Sequence, residues 1–310
     1  MNPMAPGVPQ LRQAMHPFSD RLVEAVRVKG NPCVVGLDPR ISLMPVFVKS
    51  SSAEQTISDF HEIVLDAVAG LVPVVKPQLA FFEQYGIPGM KAFENTVRAA
   101  RERGLLVIAD AKRNDISSTA EAYATAFLSD GAFDADAMTV APYLGRDSLT
   151  PFVTACKQHG KGLFVLVKTS NPGSKDFQDQ ILQSTGRPLY QSIAASVDEL
   201  GKEVLGASGY SSIGAVVGAT FPEEARTLRS IMPRACILVP GYGAQGGSAQ
   251  DAAACFNDDG LGAVVSSSRG ITYAFGNADI SRDAFARSVR DNTLRMIEEV
   301  TAAVKAGVAS

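Results

Sequence analysis

The sequence is poor in the residues that build disulfide and metal sites. Its 310 residues include four cysteines (Cys33, Cys156, Cys236, Cys255) and three histidines (His16, His61, His159). The cysteines lie far apart, mostly inside apolar runs, with no CxxC or zinc-type spacing. A disulfide framework is therefore excluded, and buried free thiols in a reducing, cytoplasmic compartment are expected. No histidine pairs with a cysteine or falls in HExxH spacing, so no metal site is expected. A large excess of charge of either sign is also lacking, with 29 Lys and Arg against 32 Asp and Glu. A net charge of −3 and a pI of about 5.7 argue against nucleic acid or a membrane surface as a partner of the whole molecule. An anionic ligand would need a local cluster of cations. No apolar run reaches the roughly 18 residues of a membrane span. The first stretch, broken by Pro3, Pro6, Pro9 and Pro17, lacks the apolar core of a secretory signal. It reads as a flexible arm over residues 1–17, leading into a helix capped by Ser19 or Asp20.

What is present is an ordinary globular composition, 46% hydrophobic and 20% charged. Short β-rich runs alternate with longer amphipathic stretches. Candidate strands are Cys33–Leu37, Val72–Lys76, Leu105–Ala109, Ala137–Val140, Gly162–Val167, Ile213–Val217, Ala235–Val239 and Ala263–Ser266. They are continuously hydrophobic, as parallel strands covered on both faces must be. Eight strands, each followed by a helix, spell an α/β fold of the (β/α)8 TIM-barrel type in a single domain over residues 18–310. An open doubly wound sheet is the alternative, because periodicity does not show closure.

A barrel places its chemistry at the C-terminal ends of its strands. Polar residues collect there: GLDPR after the first strand, Lys76 at the second, ADAKRND at the third, VKTSNPGS at the fifth, PGYGAQGG at the seventh and SSSRGI at the eighth. One shared site explains them. Asp110 and Lys112 lie two apart, so on an extended strand end they point to one face. Asp115 by itself suits the start of a helix, whereas cations at Lys112 and Arg113 oppose the helix dipole. The GxGxxG at Gly241, Gly243 and Gly246 sits in the seventh unit and lacks the acidic residue of a dinucleotide fingerprint. A phosphate-binding loop completed by Arg269 is the better reading. Lys168, a strand-end lysine before Thr-Ser, resembles the Schiff-base lysine of aldolases, although the sequence supplies no partner to activate it.

Taken together, these motifs resemble the orotidine 5′-phosphate decarboxylase family over roughly Cys33 to Ile271. The most specific element is D-x-K-x-x-D, here Asp110, Lys112 and Asp115, with GLDP, Lys76, APYLGRDSL, KTSNPGS, PGYGAQGG and SSRGI in the same order. KTSNPGS and FFEQYG are most similar to the family's longer-chain, type 2 branch. The resemblance implies a cofactor-free and metal-free decarboxylation of orotidine 5′-phosphate to UMP, the last step of pyrimidine nucleotide synthesis. It implies an array of Lys76, Asp110 and Lys112, with Lys112 as proton donor to C6. It also implies a homodimer in which Asp115, with Ile116 and Thr119, reaches the partner's site. Asp38 is implied at the ribose hydroxyls, Ser170 at the pyrimidine amide edge and Pro240 in the pocket wall. Gln245, Gly246 and Arg269 are implied at the phosphate. The segment Gly186–Gly209, the TYAFGN region and the arm stay unassigned. Hexulose-phosphate synthases share D-x-K-x-x-D, so a metal-dependent sugar-phosphate lyase on the same barrel is the alternative. A non-catalytic sensor of phosphate ligands is a third.

Overall fold

Runs such as CVVGL and ACILV carry no polar side chain on either face, so neither face of such a strand favours water. They form eight parallel strands closed into a barrel in the computed structural model, which describes residues 16–243, 246–276 and 278–308. The strands are β1 (Cys33–Leu37), β2 (Val74–Pro77), β3 (Leu106–Arg113), β4 (Ala137–Val140), β5 (Gly162–Lys168), β6 (Ser211–Val217), β7 (Ala235–Val239) and β8 (Ala263–Ser267). Each pairs with its sequence neighbours, and β8 closes on β1 through Cys33 opposite Val265. The (β/α)8 expectation holds, and the open sheet is ruled out by that closure. The third strand runs four residues further than the sequence suggests, carrying its charges within the sheet.

The helices α1 (Phe18–Lys29), α2 (Ala53–Val68), α3 (Gly86–Glu102), α4 (Ser117–Leu128), α5 (Thr150–His159), α6 (Leu189–Gly201), α7 (Pro222–Ile231) and α8 (Arg282–Val308) account for most of the helical chain. The expectation of one helix per strand is met unevenly. After β7 there is only a five-residue helix, Ala249–Ala253, and after β8 a four-residue turn, Arg269–Thr272, precedes α8. Ile181–Leu182 and, at the start of the unassigned segment, Arg187–Pro188 form a small antiparallel hairpin ahead of α6. No helix among the described residues is long and apolar enough to cross a membrane.

Helix α1 stands before the first strand and closes the barrel's N-terminal end. Phe18, Leu22 and Val26, spaced four apart, form one apolar stripe. They pack with Val34, Ile108, Phe164 and Leu238 in the inner core. The Phe18 ring meets Phe164 edge-on at 5.9 Å and occupies the space a side chain at Gly162 would need. Burying each of these large side chains contributes about 1.5–3 kcal/mol. The helix begins at Phe18 with Pro17 before it, so neither Ser19 nor Asp20 is its cap. Asp20 instead accepts hydrogen bonds from the Ala207 and Ser208 amides, and the Ser19 amide donates to Ser212 Oγ. These bonds fasten the plug to the start of β6. The arm expected over residues 1–17 lies outside the described residues as far as residue 15. All four cysteines are buried free thiols, and burial pushes Cys33, Cys236 and Cys255 up to about 12.

Candidate active site

With its N-terminal end plugged, the barrel keeps a cavity of about 420 Å³ at the opposite end, within the range of small-ligand sites. Leu166, Val216 and Leu238 supply apolar wall directly above the inner core. Around them stand Asp38, Lys76, Asp110, Lys112, Ser170, Pro240 and Arg269, brought together from strands far apart in the sequence. Each of these was expected in the site. Asn171, Ser266, Ser267 and Ser268, from the expected strand-end motifs, also line the cavity, as do Gln78 and Thr139, which were not foreseen.

Asp110 is the centre of the charged group. One carboxylate oxygen accepts from Lys76 Nζ at 2.7 Å and Gln78 Nε2 at 3.1 Å. The other accepts from Lys112 Nζ at 2.6 Å and Thr139 Oγ1 at 2.9 Å. Each oxygen thus holds one ammonium and one neutral donor, which uses the acceptor capacity of a carboxylate. Burial works against the Asp110 charge, but Lys76 and Lys112 overcome it and hold the carboxyl well below the usual carboxylate range. Burial also opposes the Lys76 charge, and Asp110, aided by Asp38, raises that ammonium above the ordinary lysine value. Burial of Lys76 and Asp110 is tolerable because each meets an opposite charge, while the Lys112 side chain, 44% exposed, keeps contact with solvent.

The backbone beneath this group is irregular. On β3, Ala109 pairs with Met138 and Arg113 with Val140, so four steps on β3 match two on β4. Within the bulge Lys112 adopts φ 47°, a left-handed conformation uncommon for a residue with a side chain. Alternation along an extended strand therefore does not explain why Asp110 and Lys112 meet. A bulge does.

Other elements hold the rim. The Tyr273 hydroxyl, from the unassigned TYAFGN region, accepts from the Arg40 amide and donates to the Asp38 carbonyl. It fixes the loop that presents Asp38, whose Oδ1 is buried with no hydrogen-bond partner. Gly218, at the end of β6, lies so close to Ser170 that an added Cβ would stand 2.9 Å from the serine Cβ. Gln178 grips the preceding Thr169 twice, accepting from its amide and donating to its hydroxyl.

Four expected residues lie elsewhere. Asp115 is half-buried and its carboxylate accepts from the Ile116 amide at 2.8 Å; Ile116 is 53% exposed and Thr119 is exposed. None of the three lines the cavity of this chain. Gly246 is exposed outside the lining, with its amide donating to the Gly243 carbonyl. Gln245 lies outside the described residues. Lys168 also points away: a register shift on β5 turns it out of the barrel, onto Asp179 and over the rings of Tyr190 and Phe221. It does not line the cavity, which removes the residue on which a Schiff-base aldolase would depend. Among the described residues no cluster of three His, Cys, Asp or Glu side chains is arranged to hold a metal ion.

Comparison with known proteins gives concordant results. The family model described as "Orotidine 5'-phosphate decarboxylase / HUMPS family" matches residues 32–282. A protein of Rhodopirellula baltica named orotidine 5′-phosphate decarboxylase is 47% identical over 302 residues, covering 92% of this chain and 99% of its own. One of the same name from Clostridium novyi is 41% identical, covering 91% and 97%. Among solved structures, Leishmania donovani OMP decarboxylase superposes with a TM-score of 0.73 at 31% identity, over 93% of this chain and 99% of that one.

Proposed function

The chain belongs to the orotidine 5′-phosphate decarboxylase / HUMPS family, and from that premise we propose that it converts orotidine 5′-phosphate to UMP and CO2 without a cofactor. The observation that carries this reading is the Lys76–Asp110–Lys112 array, in which a buried Asp110 lies between the buried Lys76 and the more exposed Lys112 in one cavity. KTSNPGS and FFEQYG support assignment to the longer-chain, type 2 branch.

Loss of CO2 from C6 of an orotate ring leaves a vinyl carbanion with no adjacent carbonyl to take the charge. The site must therefore act by fixed charge, and enzymes in general lower barriers by about 8–23 kcal/mol. One preorganised donor supplies roughly 3–4 kcal/mol, so several groups must share the task. In this reading the Lys112 ammonium faces C6, stabilises the developing carbanion and delivers the proton that replaces CO2. Asp110, held ionised and hydrogen-bonded on both oxygens, lies against the substrate carboxylate. It disfavours that anion more than the neutral CO2 that leaves. Lys76 fixes Asp110 and, with Asp38, meets the ribose hydroxyls. Ser170 reads the pyrimidine amide edge beside Pro240.

Arg269, with Gln245 and the glycine-rich loop through Gly246, holds the phosphate. Binding that remote, non-reacting dianion stabilises the closed complex in which the charges act. Asp115, Ile116 and Thr119 complete the site of a second subunit in a homodimer. Their position outside the cavity of their own chain agrees with that role.

The test is ultraviolet-monitored turnover of orotidine 5′-phosphate by the wild type and Lys112→Ala, with and without EDTA. The wild type should decarboxylate in both conditions, and Lys112→Ala should fall by about 10³–10⁴-fold, the upper range for a positioned general acid. Activity abolished by EDTA would instead favour the metal-dependent lyase. Nucleotide binding without turnover would favour a sensor.

A further inference from the structure

The bulge in β3 leaves a hydrogen-bonding problem that one side chain solves. Between the pairs Ala109–Met138 and Arg113–Val140, the residues Asp110, Ala111 and Lys112 face the single residue Thr139. The far edge of β3 stays in register: Asp110 bridges Gln78 of the β2 side, and its carbonyl accepts from the Leu79 amide. The break is confined to the β4 side, where the ladder offers the Lys112 amide no carbonyl. That amide donates to Thr139 Oγ1 at 2.9 Å. A hydroxyl that accepts there must direct its one proton elsewhere, and it goes to Asp110 Oδ1 at 2.9 Å. Thr139 is fully buried, so water does not compete for either bond.

We propose that Thr139 is the positioning residue of the charged array, holding the left-handed backbone of Lys112 with one side of its hydroxyl and orienting the Asp110 carboxylate with the other. This rests on the reading of the site given above. The main chain at Lys112 is uncommon for lysine and needs surroundings that over-determine it. The amide bond to Thr139 supplies that restraint, and the proton given to Asp110 fixes the carboxylate plane against which Lys112 Nζ lies. The methyl of Thr139 takes no part in either bond. The claim therefore concerns the hydroxyl alone.

The experiment compares Thr139→Val, isosteric but without the hydroxyl, with Thr139→Ser, which keeps it. Decarboxylation, UMP affinity and melting temperature are measured for each. Thr139→Val should lose about thirtyfold in kcat, the size of a lost hydrogen bond to a charged group. KM and UMP affinity should stay within threefold, and Thr139→Ser within threefold of wild type throughout. In a Lys112→Ala background, Thr139→Val should cost less than threefold, since the group it positions is gone. A Thr139→Val enzyme with wild-type kcat overturns the proposal, as do equal losses in Val and Ser variants or an undiminished loss in the Lys112→Ala background. If Thr139→Val does not fold, Thr139→Ala takes its place with the same expectations. If neither folds, the hydroxyl is a requirement of the barrel and the positioning role falls. A wild type that does not turn over orotidine 5′-phosphate refutes the functional reading itself, which separates the two failures.

Discussion

Asp110 is buried, yet the two ammoniums around it favour its charge, and this has a consequence for acid stability. Its carboxyl titrates lower in the folded chain than in the unfolded one, so the unfolded state binds the proton first. The stabilisation it provides is fully present above the unfolded value, about pH 4, and is lost as pH falls below it. Urea denaturation from pH 6 to pH 3 should show wild-type stability dropping more steeply below pH 4 than that of Asp110→Asn, which lacks the titrating group. Parallel curves would mean that Asp110 is not held ionised by its neighbours. The charged members of the site were legible in the sequence because charge at the end of an apolar strand is costly and therefore conspicuous. Asp38, Lys76, Asp110, Lys112 and Arg269 all line the cavity. Thr139 and Gln78 were not legible: a threonine in AMTV is an ordinary β-former, and a glutamine past a strand end carries no signal of its own.

At the level of strands and loops, alternation named the right neighbours at β3 for the wrong reason and failed at β5. Phe164 and Leu166 turn toward the barrel interior, and strict alternation would send Lys168 after them. The register shift between Leu166 and Lys168 turns the lysine outward instead. A bulge is set by the pairing of two strands, so neither sequence alone announces it. The result is a clip in which Lys168 and Thr169 engage Asp179 and Gln178, joining the strand that presents Ser170 to the hairpin segment beyond it. Asp179→Asn leaves a fully buried ammonium unpaired, and with Asp179 itself partly exposed the cost is about 2–3 kcal/mol. Calorimetry should show a fall of roughly 4–8 °C in melting temperature, and KM for orotidine 5′-phosphate should rise as Ser170 loses its support. An unchanged melting temperature would show that the pair is not what anchors this loop.

Across the whole molecule, the eight strands and their polar ends followed from the rhythm of the sequence. Closure, by contrast, shows only in the pairing of β8 with β1, and the proposed second subunit is read from residues that miss their own cavity. Asp115, Ile116 and Thr119 are such residues, and the homodimer proposed above makes a distinct prediction about them. Lys112→Ala and Asp115→Ala homodimers should each be inactive. Co-assembled, one of the two sites in a mixed dimer carries both lesions and the other carries neither, so activity should return toward half of wild type in verified heterodimers. No recovery would place Asp115 within its own subunit. The plug formed by Phe18, Leu22 and Val26 has a further effect on traffic. A vessel sealed at its base has one doorway, by which, in the proposed reaction, nucleotide enters and carbon dioxide and the product nucleotide leave. The next substrate of the proposed reaction therefore waits for the previous product to clear that threshold.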